Sequence, residues 1–349
     1  MKINQGLIRT SSIIINDGYL LNIYKKIKHK QLRFQARILI YHRVSSEKME
    51  WLRSSAISPS LFEWQLRYLK TNYQIISLED LQSYLVDGSP LPNNAAVITF
   101  DDGYKDNFSY AFPLLKKHEI PATIFLTTEP LESGKLLWFD ELAFKLWHSL
   151  SDRLEIEGLG LIRLPTDHRK RETAIMRIID YVRHLPPLCQ NMILAKISKK
   201  TRNEIPKDLG CQIMLSWDEV RKMSKNGIKV GAHTITHRLL NMMSNEEATR
   251  EIMESKRIIE SQLQQEVKSF SYPNGRYNED IIKAVQLAGY KAAVTTVPKL
   301  IDLKTRPFEL GRILPGWNQN SFCFFVSGLF SDLYSAFQLY KSFGFSPRK

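Results

Sequence analysis

The segment that most constrains this chain runs from Ala95 to Tyr104, where a short apolar run ends in two adjacent aspartates and a glycine. The run A-A-V-I-T-F is typical of a fully buried strand closed by a turn. Charged side chains are costly to bury unless they are paired or bind a metal, and parallel α/β folds place their chemistry at the carboxyl ends of strands. Asp101 and Asp102 are therefore candidate catalytic or metal-binding residues. A helix N-cap would explain one aspartate equally well, but two in a row favour the catalytic interpretation.

Strand-like and helix-like segments alternate along most of the chain. Apolar strands are predicted at 37–44, 95–100, 122–126, 227–233, 269–273, 291–296 and 308–313. Helix N-cap signals lie between them, as at Ser58-Pro59 and at Ser244 with Glu247. This alternation predicts βα units and a parallel sheet or barrel. Residues 131–212 interrupt it, and we interpret them as an inserted helical subdomain over the active face, where it could cover the substrate.

A second polar cluster, G-A-H-T-I-T-H, occupies residues 231–237 at the end of another predicted strand. Two histidines four residues apart can converge on one metal ion, and a carboxylate from another strand completes an open three-ligand site. Asp101 or Asp102 is the natural third ligand. This ligand set suits Zn²⁺, while Co²⁺, Ni²⁺, Mn²⁺ and Fe²⁺ also accept it. A hydrolytic metal site further needs a base for the proton of the attacking water, so adjacent aspartates can divide the two tasks.

The segments T-F-D-D-G-Y at 99–104 and H-T-I-T-H at 233–237 together resemble the polysaccharide deacetylases with a NodB homology domain (carbohydrate esterase family 4). The resemblance covers roughly residues 37–315 and includes F-S-Y-P-N-G at 270–275. It implies an α/β fold, the irregular (β/α)7 barrel of NodB-type deacetylases, and metal-dependent removal of N-acetyl, or sometimes O-acetyl, groups from sugars. It also implies the roles of four residues: Asp101 as the base, and Asp102, His233 and His237 as metal ligands.

The general acid departs from the usual family pattern. Most members carry a late Leu-x-His that supplies it, whereas none of the eight histidines of this chain follows His237. The segment I-Y-H-R-V at 40–44 resembles the poly-N-acetylglucosamine deacetylase branch, in which the acid histidine lies on the N-terminal side, and this implies His42. The first and last strands of a closed barrel are neighbours, so a histidine after the first strand can take the place of one after the last strand. A buried structural histidine is the alternative.

Other site residues are predicted with less support from the motifs. The arginine that orients the base in this family has no obvious counterpart, and Arg276 and Arg312 are both candidates. We assign five residues to substrate binding: Tyr104, near a backbone N–H that helps to bind the oxyanion, Trp138 and Asp140, which resemble a substrate-lining motif, and Tyr272 and Pro273 of the Tyr-Pro-x-Gly stretch. Ordinary packing and helix capping explain Trp138 and Asp140 equally well.

Composition sets the expectations about partners and location. The 349 residues include 49 Lys and Arg against 36 Asp and Glu, a net charge of +13, which favours anionic partners such as acidic glycans or the headgroups of an anionic membrane. No nucleic-acid motif is present, and nucleic acid is not expected. Three scattered cysteines argue against a disulfide framework. Without a recognisable signal peptide or spanning segment, we expect a cytoplasmic protein or one held peripherally at the inner membrane surface.

These observations predict three regions and one function. We expect a basic N-terminal extension at 1–36, a deacetylase barrel at 37–320 with its insertion at about 131–212, and a C-terminal helix at 321–349. The predicted function is metal-dependent hydrolysis of N-acetyl groups in a cell-surface polysaccharide or its precursor. Two alternatives remain: a glycan-binding barrel that has lost turnover, and a deacetylase of a non-polymer sugar amide.

Overall fold

The computed structural model describes residues 23–24, 26–28, 32, 34–47, 49–52 and 56–342, so most of the predicted N-terminal extension lies outside the described residues. The strands, in chain order, are β1 (Arg37–Tyr41), β2 (Arg43–Val44), β3 (Ala56–Ile57), β4 (Gln74–Ile75), β5 (Ala95–Phe100), β6 (Thr123–Leu126), β7 (Arg153–Ile156), β8 (Gly160–Arg163), β9 (Lys229–Ala232), β10 (Ser269–Ser271) and β11 (Ala292–Val294).

The helices lie mainly between these strands, as the alternating pattern predicts. They are α1 (Pro59–Asn72), α2 (Leu78–Asp87), α3 (Phe112–His118), α4 (Thr128–Ser133), α5 (Trp138–Trp147), α6 (His168–Arg183), α7 (Pro187–Thr201), α8 (Leu209–Ile213), α9 (Trp217–Lys225), α10 (Asn245–Leu263), α11 (Glu279–Leu287), α12 (Gln319–Val326) and α13 (Leu329–Ser342). Shorter helical turns occupy Asn107–Ala111, Leu240–Met242 and Pro273–Gly275. No helix in the described part of the chain combines the length and apolarity that crossing a bilayer requires.

Six strands form a curled parallel sheet in the order β1-β5-β6-β9-β10-β11, and β4 pairs with the start of β5. The backbone at 310–313 closes the circle. Leu310 N–H donates to the carbonyl of Ala293 at 3.0 Å, and Ile313 N–H donates to the carbonyl of Ile38 at 2.8 Å. This segment forms bridges rather than the regular strand predicted there, because the N–H of Arg312 bonds to the carbonyl of Val297 instead. The expected irregular barrel is confirmed.

The ends of the helices follow the capping signals in the sequence. Ser58 Oγ accepts the N–H of Leu61 at 3.2 Å at the start of α1, and Ser244 with Glu247 forms a capping box at the start of α10. Strand β5 is buried at all six positions, because alternate residues pack against helices outside the barrel and against the other strands inside it. These local signals position the carboxyl ends of the strands, where the polar motifs lie.

The chain between β6 and β9 builds a second apolar cluster beside the barrel. Helices α5, α6 and α7 contribute buried residues such as Leu142, Ile178 and Ile193. The same region contains the antiparallel hairpin β7–β8, which the sequence analysis did not predict. Its turn uses Gly158 at a φ of +81°, a conformation that suits glycine. The limits of the inserted subdomain stay a prediction.

The C-terminal region holds two helices, α12 and α13, where a single helix was expected at 321–349. Gly328, at a φ of +91°, lets the chain turn between them. Residues 343–349 lie outside the described residues. The buried guanidinium of Arg37 donates from Nε to the carbonyl of Val326 at 3.1 Å, so the first barrel strand is tied directly to this C-terminal pair.

Candidate metal centre and active site

Asp101 and Asp102 lie directly after β5, and both are buried, with exposed fractions of 2% and 1%. The N–H of Asp101 still bonds to the carbonyl of Tyr41 at 3.0 Å, which continues the pairing of β5 with β1. Asp102 then adopts a φ of +78° and Gly103 a φ of +90°. A left-handed conformation is uncommon for a residue other than glycine and is found at functional sites that the surrounding structure holds in place.

The loop at 233–237, which carries both histidines, is held by a buried carboxylate from α10. Glu251 Oε2 accepts the backbone N–H groups of Ile235 and Thr236 at 2.8 and 3.0 Å, and its Oε1 accepts the Thr236 hydroxyl at 2.8 Å. His237 ends the loop at a φ of +57°. Hydrogen bonds to an ionised acceptor are roughly twice as strong as neutral ones, so Glu251 fixes the backbone from which both imidazoles project.

The structure brings Asp102, His233 and His237 together. Nε2 of His233 and Nε2 of His237 lie 3.6 and 3.2 Å from Asp102 Oδ1, and one donor atom from each residue lies within 4.8 Å of the others. Nδ1 of His233 lies 2.6 Å from the carbonyl of Ser271. A carbonyl can only accept, so Nδ1 carries the proton and Nε2 keeps its lone pair for a ligand.

The electrostatics of these groups suit a cation. Burial lowers the pKa of His233 to about 4, although Asp101 acts in the opposite direction, so the imidazole is neutral at neutral pH. Burial acts to raise the pKa of Asp102, but the charge and hydrogen bond of His237 outweigh it and hold that pKa below its usual range. A neutral imidazole and an ionised carboxylate are the forms that bind metals. The donor set therefore fits a divalent cation with an open coordination position.

Asp101 is held by Arg312 in a buried two-point ion pair. Nη1 and Nη2 of Arg312 donate to Oδ1 and Oδ2 of Asp101 at 2.7 and 2.6 Å, and Nε donates to the carbonyl of Thr295 at 3.0 Å. Burial acts to raise the pKa of Asp101, but the charge of Arg312 outweighs it, and the pKa is lowered. Of the two candidate arginines, Arg312 contacts Asp101, whereas Arg276 is exposed.

His42 follows β1 and is half-buried. The side chain of Asn107 donates to the backbone carbonyl of His42 at 2.9 Å and so fixes this short connection. Burial and other partners have larger effects on the pKa values of Asp101 and Asp102, but the charge of His42 also acts to lower both. Because β1 runs parallel to β5 with Tyr41 opposite Phe100, His42 lies at the same end of the sheet as the two aspartates.

Three of the predicted substrate-binding residues join α5 to the metal-binding loops. The hydroxyl of Tyr104 donates to Asp140 Oδ2 at 2.6 Å, and both residues are fully buried. The indole N–H of Trp138 points to the carbonyl of His237 at 3.5 Å. The ring of Phe139, which the sequence analysis did not single out, packs edge-on against His237 at 5.0 Å between centroids. Helix α5 is thus in direct contact with a candidate metal ligand.

Tyr272 and Pro273 lie in the wall of the barrel. The hydroxyl of Tyr272 donates to the carbonyl of Phe308 at 3.1 Å, and its ring stacks on that of Tyr277 at 4.8 Å between centroids. Pro273 is buried at the start of a short helical turn. These contacts give Tyr272 a structural role in holding the turn after β10.

Two supporting residues were missed by the sequence analysis. Ser271 supplies the carbonyl that orients His233 and a hydroxyl that donates to Asp101 Oδ2 at 3.2 Å. Glu251 lies on the buried face of α10, between Ala248 and Ile252. A carboxylate on an otherwise apolar helix face is the signal that could have identified Glu251, because a buried charge requires partners. Nothing in the sequence singles out Ser271.

Comparisons of the sequence with known proteins agree with this geometry. The profile of the polysaccharide deacetylase family matches residues 88–293. The putative polysaccharide deacetylase YxkH of Bacillus subtilis is 24% identical over 295 residues, which cover 84% of this chain and 76% of that protein. A poly-beta-1,6-N-acetyl-D-glucosamine N-deacetylase of Staphylococcus aureus is 22% identical over 306 residues, which cover 83% and 81% of the two chains.

Solved structures share the fold. The Streptococcus pyogenes deacetylase PplD, solved in complex with acetate, superposes with a TM-score of 0.57 at 20% identity, over 83% of this chain and 96% of that one. IcaB from Ammonifex degensii superposes with a TM-score of 0.54 at 17% identity, over 84% and 97%. Because the family profile covers more than half of the sequence, this chain belongs to the polysaccharide deacetylase family, hydrolases that remove N-acetyl groups from sugars.

Proposed function

We propose that this protein is a metal-dependent N-deacetylase that acts on an N-acetylated sugar of a cell-surface polysaccharide or its precursor. The observation that carries the proposal is the convergence of Asp102, His233 and His237 beside the ion pair of Asp101 with Arg312. These three residues would hold a divalent ion, of which Zn²⁺ suits the donor set best. When bound there, a divalent ion would supply Lewis-acid chemistry for the acetamide carbonyl and the attacking water.

The chain's own residues then divide the proton transfers. Asp101 is the base, because Arg312 keeps it ionised. Its Oδ2 accepts hydrogen bonds from Arg312 and Ser271, whereas its Oδ1 accepts one from Arg312 and retains a second lone pair with which to accept the proton of water. His42, at the same end of the sheet as the aspartates, donates a proton to the amine nitrogen as it leaves. The backbone N–H near Tyr104 would bind the oxyanion, and Trp138 would contact the sugar.

The partners and location are part of the same proposal. The named activity of the Staphylococcus aureus relatives supports a polymer of N-acetylglucosamine as one substrate to test. The net charge of +13 supports peripheral contact with an anionic membrane, and no nucleic acid is expected. Location in the cytoplasm or at the inner membrane surface stays a prediction, which cell fractionation tests.

Acetate release from N-acetylglucosamine oligomers tests the reaction. We expect the metal-loaded protein to release acetate. In Asp101→Asn the rate of release should fall by about a hundredfold or more, the range of general-base contributions. Asp218→Asn is the matched control, because the side chain of Asp218 is 91% exposed on α9. Release that persists both in Asp101→Asn and after metal stripping would remove the proposal.

A glycan-binding barrel without turnover is the second candidate. It is favoured by one observation, that no histidine follows His237, where most family members carry the acid. The two functions differ in the same assay. Tight binding of the oligomers by the metal-loaded protein, with no release of acetate, would support the binding protein and contradict the enzyme.

A further inference from the structure

A buried carboxylate, Asp106, holds the backbone that follows His42. Its Oδ2 accepts a hydrogen bond from Nε of Arg43 at 2.7 Å, and its Oδ1 accepts the backbone N–H of Val44 at 3.3 Å. The side-chain amide of Asn107 donates to the same Oδ1 at 3.0 Å. The side chains of Arg43 and Asp106 are only 6% and 9% exposed. Arg43, Asp106 and Asn107 thus form a buried polar clamp directly beside the proposed general acid.

The connection between β1 and β2 is restrained at both ends. His42 is the single residue between the two strands. Before it, the carbonyl of Tyr41 accepts the N–H of Asp101 at 3.0 Å, so the connection begins on the strand pair that carries the base. At and after it, the carbonyl of His42 accepts Nδ2 of Asn107, and the N–H of Val44 donates to the carboxylate of the clamp. The backbone of His42 is therefore fixed relative to Asp101.

The clamp grows out of the segment that carries the base and a metal ligand. Asp106 follows Asp102 by four residues, and the turn Asn107–Ala111 begins directly after it as a π-helix, a rare form that frequently marks functional sites. The guanidinium of Arg43 also lies over the ring of Tyr104, 5.5 Å from its centroid. One short segment therefore sets the position of the acid relative to the base and the metal ligands.

Stability alone does not account for a charged pair at this place. Taking two charges out of water carries a large desolvation cost, and apolar replacements of buried ion pairs are often as stable or more stable. Hydrogen bonds to an ionised carboxylate have a defined direction, whereas apolar contacts have none. A general acid must lie within hydrogen-bond reach of the leaving nitrogen, and a displacement of about 1 Å can lower the rate about a hundredfold. The clamp supplies this precision.

We infer that Asp106 is a positioning residue, which acts through the backbone of His42 to hold the imidazole at the leaving amine. Asp106 takes no part in the proton transfer itself: His42 gives its proton to the nitrogen as the C–N bond breaks. The inference rests on the proposed function, and it adds the residue on which the placement of the acid depends.

Two substrates with different leaving groups separate this role from a general structural one. N-acetylglucosamine oligomers release an amine, which is protonated as it leaves, whereas 4-nitrophenyl acetate releases a phenolate that needs no proton. Asp106→Asn keeps the volume but replaces one acceptor oxygen with a donor. We expect kcat for the oligomer to fall by about ten- to a hundredfold, with KM and the rate for the ester changing little. Asp152→Asn is the matched control, because Asp152 also pairs with an arginine Nε but is 73% exposed.

A double-mutant cycle tests whether the effect passes through His42. In His42→Ala the acid is already absent, so adding Asp106→Asn should lower the rate of amide hydrolysis little further. Additive losses, or equal losses for amide and ester, would overturn the inference. If Asp106→Asn fails to fold, Asn107→Leu provides the same comparison, because it removes the donor to the carbonyl of His42 and leaves both charges of the clamp in place.

Hydrogen exchange separates this inference from the proposed function. The N–H of Val44 donates to Asp106, so its exchange, followed by NMR in metal-free protein, should be faster in Asp106→Asn, while the N–H groups inside β5 keep their rates. Unchanged exchange at Val44 would refute the clamp even in a protein that releases acetate. Faster exchange, with no acetate released from any sugar by the wild type, would refute the proposed reaction and keep the clamp on His42.

Discussion

Removing Arg312 is the sharpest test of how this centre is held together. Arg312→Met keeps the volume of the side chain but leaves the ionised carboxylate of Asp101, only 2% exposed, without its cation. Breaking a buried pair by removing one partner costs about 3–5 kcal/mol. The hydroxyl of Ser271 still donates to Asp101, so we expect the free energy of unfolding to fall by about 3 kcal/mol, measured by urea denaturation of metal-free protein.

A double-mutant cycle separates this electrostatic loss from a packing defect. In Asp101→Asn the carboxylate charge is already gone, so the further change Arg312→Met should cost less than it does in the wild type. We expect a coupling energy of about 2–3 kcal/mol, at the upper end of the range for residues in contact. Arg276→Met, at an exposed position, is the control, and it should leave the free energy of unfolding nearly unchanged. Additive effects of the two substitutions would refute the reasoning.

The same pair predicts a pH dependence with a defined sign. The folded-state pKa of Asp101 is below its ordinary value, which is about 3.9 for an unfolded chain. The unfolded state therefore binds more protons than the folded state. The contribution of the pair to the free energy of unfolding is complete above the unfolded-state pKa and is lost as the pH falls through the folded-state pKa. In Arg312→Met the main effect that lowers the pKa of Asp101 is lost, and burial, the largest effect, raises that pKa against the weaker influence of His233 and His42. The stability difference between wild type and variant should shrink on acidification. In the variant, the rate of acetate release should begin to fall at a higher pH than in the wild type.

The remaining predictions concern the metal and its supports. A chelator should abolish acetate release, and an ion supplied at a hundred times its Kd should stabilise the fold by about 2.7 kcal/mol in urea denaturation; an unchanged midpoint would argue against a metal site. Glu251→Gln weakens the bonds to the histidine loop, so metal affinity should fall by about 10- to 100-fold in a competition titration, while Glu254→Gln, on the same helix, should retain it. Gly231→Ala would place a Cβ against the ring of Phe125 and should lower the free energy of unfolding by about 1–3 kcal/mol. Unchanged stability would contradict this prediction.

Much of the fold could be predicted from local patterns. The apolar run before Asp101 and the capping box at Ser244 each act within a few residues, and both elements form where they were expected. The hairpin β7–β8 was missed, although β7 buries alternate residues. Its strands are only four residues long, too short for the alternation to stand out from the charged helices on either side.

The sequence by itself determined the alternating barrel and the donor residues, because periodicity, capping and a charge after an apolar strand are properties of neighbouring residues. Only the tertiary structure decided that Arg312, 211 residues away in the chain, is the partner of Asp101. It likewise decided that Glu251 holds the histidine loop. These contacts depend on how the sheet curls and how α10 packs against it, and no spacing in the chain encodes such distances.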